Sequence, residues 1–150
     1  MKSIAALAIC LASPAFASQC AEQPPERIAQ TAQIAFVGTV VAVQESTYKP
    51  RNACWAVSKQ SPQCGGKLVT LQVTEGLRGA TKAARVNVVA EDGCYCLGSY
   101  WEVGKAYLVV ARRNDTGLAG DVVADNFCGG TGELNERTEP IVKALRGPRP

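Results

Sequence analysis

Cysteine is the reactive residue type of this chain: seven occur, at positions 10, 20, 54, 64, 94, 96 and 128, and histidine is absent. Thiolates hold soft metals or pair as disulfides, and compartment and spacing decide which. Without an imidazole the chain cannot assemble a Ser-His-Asp triad, a Cys-His pair or an HExxH zinc site. Most hydrolase mechanisms are thereby excluded. Cys94-Tyr95-Cys96 is the one close pair, yet structural zinc sites usually use CxxC, and no histidine can complete a mixed ligand set. Asp121 and Asp125 fall four apart in an expected strand, on one face, where a carboxylate pair would bind a cation or move a proton. No partner base accompanies them, and a solvated face is the ordinary reading. Gly129-Gly130-Thr131-Gly132 lacks the Lys-Ser/Thr of a phosphate loop and reads as a turn. The chain is therefore read as a non-enzyme with no cofactor and no metal of its own.

Compartment favours disulfides. Lys2 precedes an apolar run from Ile4 to Leu11, Ser13-Pro14 breaks the run, and Ala15-Phe16-Ala17 places small residues where a signal peptidase reads. Residues 1–17 are expected to be a cleaved signal peptide, which makes Ser18 the first residue of the mature chain. The run falls well short of the roughly 20 residues that span a bilayer, so no membrane span is expected. Bulky Ile9 before Cys10, and Gln19 before Cys20, argue against a lipoprotein. The destination is periplasmic or extracellular. In an exported chain the six remaining cysteines, Cys20, Cys54, Cys64, Cys94, Cys96 and Cys128, read as disulfides, and spacing alone leaves their pairing open.

The elements that must position these residues are mostly strands. At 150 residues, with 19% charged, 47% hydrophobic and a net charge of +3, the composition is that of one globular domain, here residues 18–150. Ile34–Val43 is β-branched and apolar on both faces, with Gly38 where a bulge relieves curvature, and is expected to be the central strand. Leu68–Thr74 alternates as a half-buried strand does. Arg85–Glu91, Ala106–Arg112 and Leu118–Asp125 supply three more, separated by turn residues such as Asn114-Asp115-Thr116-Gly117. Five short strands at this spacing predict an all-β, five-stranded Greek-key barrel of the OB-fold kind. Two short helices flank it. Pro25–Ala32 follows Pro24, and a proline suits the first helical turn; Leu134, Thr138, Ile141 and Leu145 recur at helical spacing, with Thr138 as the cap and Gly147-Pro148 as the stop.

The connection Gln44–Lys67 exceeds the length of an ordinary structureless loop. It contains Cys54 and Cys64, whose bridge would remove about 2.8 kcal/mol of unfolded-chain entropy. The connection reads either as a hairpin extension tidied by that bridge or as a stiffened recognition loop presenting Tyr48 and Trp55. Arg78, Lys82 and Arg85 make at most a small basic patch, and with export this argues against a nucleic-acid partner.

Taken together, these pieces resemble the netrin-like module, an OB-fold barrel shared by tissue inhibitors of metalloproteinases and by bacterial exported proteins. The matching segments are Cys20 ahead of a short helix, AQIAFVGTV (Ala32–Val40), LQVTEGLRG (Leu71–Gly79), Cys96 followed by WEVGKAYLVVA (Trp101–Ala111), and Cys128 before the last helix. The resemblance implies a disulfide-stapled barrel that binds another exported protein, a protease in its sharpest form, through the N-terminal Ser18, Gln19 and Cys20, to which the long connection would add Tyr48 and Trp55. It also implies that the α-amine and carbonyl of Ser18 chelate the catalytic zinc of a target. The family has cysteine at that first position, and serine here removes the first of two clamps. Two pairing sets remain open under the resemblance. In one, Cys20 pairs with Cys128. In the other, which avoids strain, Cys54 pairs with Cys64, Cys20 with Cys94 or Cys96, and the remaining cysteine with Cys128. The competing functional reading is a structural envelope or extracellular interaction protein without inhibitory activity.

Overall fold

The computed structural model describes residues 21–46, 66–80, 84–91, 100–115, 120–125 and 127–148. The expected signal peptide, Ser18, Gln19, Cys20, Tyr48, Cys54, Trp55, Cys64, Cys94 and Cys96 lie outside the described residues. Five strands form the barrel: β1 (Ile34–Ser46), β2 (Gly66–Arg78), β3 (Arg85–Glu91), β4 (Ala106–Arg113) and β5 (Val122–Ala124). They are hydrogen-bonded in the order β1-β2-β3-β5-β4, and pairing of β1 with β4 closes the ring. All pairs are antiparallel except the short β3–β5 pair, which is parallel. A two-residue strand β6 (Gly132–Glu133) extends the edge of β4. Helices α1 (Pro25–Thr31) and α2 (Glu139–Arg146) complete the fold.

The apolar runs of β1 and β4 fill two cores, because alternate residues point to opposite faces of a strand. Inside the barrel, Phe36 and Val40 of β1 meet Val69, Leu71 and Val73 of β2, Val88 of β3, and Tyr107 and Val109 of β4. On the outer face, Ala35 and Val37 of β1 and Leu108 and Val110 of β4 receive Ile28 of α1 and Ile141, Val142 and Leu145 of α2. β1 is thus buried on both faces over its first half. Beyond Val40 it runs on with β2 as a longer ribbon, and the register shifts at Val37/Gly38 and again at Val40/Ala42. Such shifts bend a strand and sharpen its twist, which is what the curvature at Gly38 requires.

Three expectations are corrected. The strand expected over Leu118–Asp125 is confined to Val122–Ala124 among the described residues. Gly120 has φ +136°, and a Cβ there would lie 2.6 Å from Val89 Cγ2, so the chain passes against β3 in a conformation a strand residue does not adopt. The C-terminal helix begins only at Glu139, and Leu134 stands before it, 43% exposed. Thr138 occupies the N-cap position without a side-chain capping bond. Its buried hydroxyl instead accepts the Asn135 N–H at 2.9 Å and faces the carbonyls of Glu133 and Asn135 at 3.1 Å, closing the turn into α2. The glycine-rich run does not form one turn: Phe127–Gly129 is a single 3₁₀ turn, and Gly132 enters β6.

Candidate functional site

The described residues that bound the two cysteine-bearing connections lie side by side. Ser46, before the connection 47–65, pairs with Gly66 after it, and Gly66 pairs in turn with Glu91, which precedes 92–99. The chain is described again from Tyr100, which shares a cleft with Val43 of β1 and Lys67 of β2. This end of the barrel is the candidate site. It brings together the roots of the segments that hold Tyr48, Cys54, Trp55, Cys64, Cys94 and Cys96.

The segment Tyr100–Lys105 is built onto this end by backbone bonds and by one buried phenol. Val40 donates its N–H to the Lys105 carbonyl at 3.0 Å and accepts from the Gly104 N–H at 2.8 Å, which docks the turn onto β1. Gly104 has φ +89°, a conformation that costs little only for glycine. Tyr107, fully buried in the barrel core, donates its hydroxyl to the Tyr100 carbonyl and accepts the Glu102 N–H at 3.1 Å. Burial pushes the Tyr107 phenol above its ordinary range, which keeps it a neutral donor at physiological pH. Between the two hydrogen-bonded residues, Trp101 turns inward and stacks on Tyr107, with ring centroids 4.7 Å apart. Its flanking side chains are left facing solvent.

Exposure then singles this end out. The exposed large hydrophobics among the described residues are Tyr100 (66%), Val103 (66%), Leu134 (43%) and Val41 (40%). All four lie on or beside the turn: Val41 follows Val40, and Leu134 donates its N–H to the Ala106 carbonyl at 2.8 Å. Ion pairs border them. Lys67 pairs with Glu45, and Lys105 pairs with Glu102 at 2.8 Å and with Glu133 at 3.5 Å. The hydrogen bond to the Glu102 carboxylate raises the Lys105 ammonium above its ordinary value, so Lys105 stays charged at neutral pH. The solvent-open cleft lined by Val43, Lys67, Tyr100, Trp101 and Glu102 has a volume of about 410 Å³.

The aspartate pair takes a different form from the one expected. Asp121 and Asp125 flank β5, and each is committed elsewhere: Asp121 accepts the Asn87 N–H at 2.7 Å, and Asp125 faces Arg112 at 3.4 Å. Both serve the joint between β3, β4 and β5. No group of three metal-ligating side chains occurs among the described residues, and no helix among them is long and apolar enough to cross a membrane. Cys128 is buried and disulfide-bonded.

Two contributors to the site lie in the segment that carries the resemblance, yet nothing in the sequence marks them as site residues. Tyr107 sits in an apolar strand run and reads there as core, and only the folded chain brings its hydroxyl to Tyr100 and Glu102. Trp101 likewise reads as one aromatic among several until β4 is placed under it. Compared with protein-family models and with curated proteins, the chain matches none of them.

Proposed function

We propose that this protein is an exported, non-enzymatic binding module of the netrin-like, OB-fold kind, stapled by disulfides, that docks another exported protein on the Tyr100–Lys105 end of its barrel. The observation that carries this reading is the gathering of Tyr100, Val103, Leu134 and Val41 around one turn. Large apolar side chains scattered singly over a surface are unremarkable, whereas their concentration on one patch marks an interaction surface. The roots of both cysteine-bearing connections adjoin the same patch, so a loop presenting Tyr48 and Trp55 would extend one continuous surface. In its sharpest form the partner is a metalloproteinase, met also by the mature N-terminus at Ser18.

The test is affinity capture from the exported fraction with the wild-type protein and with Val103→Glu. A partner held by the wild type and lost from Val103→Glu, with unchanged thermal unfolding, is the expected result. A partner retained equally by both proteins, or none retained by either, contradicts the reading and favours a structural envelope role. The inhibitory form has its own test: one extra residue before Ser18 abolishes inhibition if the free amine chelates the target's zinc, and leaves inhibition intact if it does not.

A further inference from the structure

We infer that the cleft walled by Val43, Lys67, Tyr100, Trp101 and Glu102 receives a single uncharged side chain, aromatic in its best form, from the protein that docks on this end of the barrel. The inference rests on the docking reading above. At about 410 Å³ the cleft lies within the size range of pockets that hold small organic groups, and it has room for one large side chain. Val43 and the rings of Tyr100 and Trp101 give it an apolar side, and Lys67 and Glu102 give it a polar one. Its two charged residues are already compensated, Lys67 by Glu45 and Glu102 by Lys105. A charged occupant would therefore lose hydration without gaining a counter-charge. An apolar ring releases water from the aromatic walls and meets no such cost.

The cleft is also held open in advance. Tyr107 stacks on Trp101 and, through its hydroxyl, fixes the backbone on either side of it, so little has to be ordered when an occupant enters. Tyr100 belongs both to the exposed patch and to the cleft, so the two adjoin, and the ion-paired Lys67 and Glu102 form the polar side of the cleft. An apolar anchor in a pocket, ringed by polar groups that exclude water, is the usual arrangement of an interface hot spot.

The test needs no knowledge of the partner. The mature protein is titrated with N-acetyl-phenylalanine amide, N-acetyl-lysine amide and N-acetyl-glutamate amide, and its amide and indole N–H resonances are followed. The Trp101 indole signal is assigned by its survival in Trp55→Phe. The phenylalanine amide is expected to shift the Trp101 indole and Val43 resonances with saturation in the millimolar range. The two charged amides should leave both signals in place. Val43→Phe, which fills the cleft from within, should weaken the phenylalanine amide by about tenfold or more; if that variant does not fold, Tyr100→Ala removes a wall that lies at the surface and serves the same purpose. No shift up to the solubility limit, an equal shift from the lysine or glutamate amide, or a shift that neither variant weakens would overturn the inference. Those outcomes leave capture by the wild type and its loss in Val103→Glu untouched, so failure of the cleft and failure of the docking reading are told apart.

Discussion

At the scale of single residues, the side chains that matter most complete hydrogen bonds the backbone leaves open. Thr131 is the clearest case. On the edge of β4 opposite β1, pairing passes from β5, whose last pair is Ala111↔Ala124, to β6, whose pairs begin at Leu108↔Gly132. At Val110, between them, the buried Thr131 hydroxyl accepts the backbone N–H at 3.0 Å and reaches the carbonyl at 2.9 Å. Valine in its place keeps the shape and leaves the Val110 N–H buried without that acceptor. Thr131→Val should therefore lower stability by about 1–3 kcal/mol, read as a lower urea midpoint with an unchanged slope. Asp125 makes the opposite prediction. Burial raises its pKa, and Arg112 offsets only part of that effect. A carboxyl with a raised folded pKa binds its proton more tightly in the folded state, so its cost is absent at low pH, grows as pH rises through the unfolded and then the folded value, and is complete above both. Asp125→Asn should then unfold at a higher temperature than the wild type at pH 7, with the difference shrinking as pH falls through the folded pKa. A lower midpoint at pH 7 would show that the Arg112 pair outweighs burial.

At the scale of elements, legibility follows the distance over which a signal is set. β3 is found at its expected bounds, and β1, β2 and β4 start within two residues of theirs, because alternating or continuous apolar runs are local properties of the chain. β1 and β2 extend further than expected, since ladder bonds between the two strands continue past the apolar residues to Glu45 and Lys67, which pair across the ribbon. β6 was not expected, as two residues carry no period and their pairing depends on where β4 lies. The helix bounded by Thr138 misled through Leu134, whose spacing suited the apolar stripe while its place before the Asn135–Thr138 turn put it on the surface. β5 is short because Gly120 brings the chain against Val89 with positive φ. Gly120→Ala should cost about 1–3 kcal/mol, from the strained backbone together with the 2.6 Å approach to Val89 Cγ2. Differential scanning calorimetry reads this loss, and an alanine variant as stable as the wild type would mean that the β3–β5 joint shifts freely.

At the scale of the whole molecule, two faces of one barrel do different work. The helical face is consumed in stability: α1 and α2 cover Ala35, Val37, Leu108 and Val110, and Arg146 holds Glu75 through two bonds of 2.8 Å. The end formed by Tyr100–Lys105 keeps its aromatic and aliphatic side chains in solvent while spending a buried tyrosine to hold their backbone in place. The sequence makes the barrel and the cysteines readable, and the resemblance directs attention to Ser18 and the Gln44–Lys67 connection. The patch itself emerges only when Val41, Tyr100, Val103 and Leu134, distant along the chain, are brought around one turn. Site-specific photo-cross-linking in the exported compartment tests this most directly, with a photoreactive residue placed at Val103 or, on the exposed helical face, at Lys143. A discrete protein adduct from position 103, absent from position 143 and lost when Tyr100→Ala is added, is the predicted result. Adducts of equal yield from both positions, or none from position 103, would contradict docking at this end of the barrel.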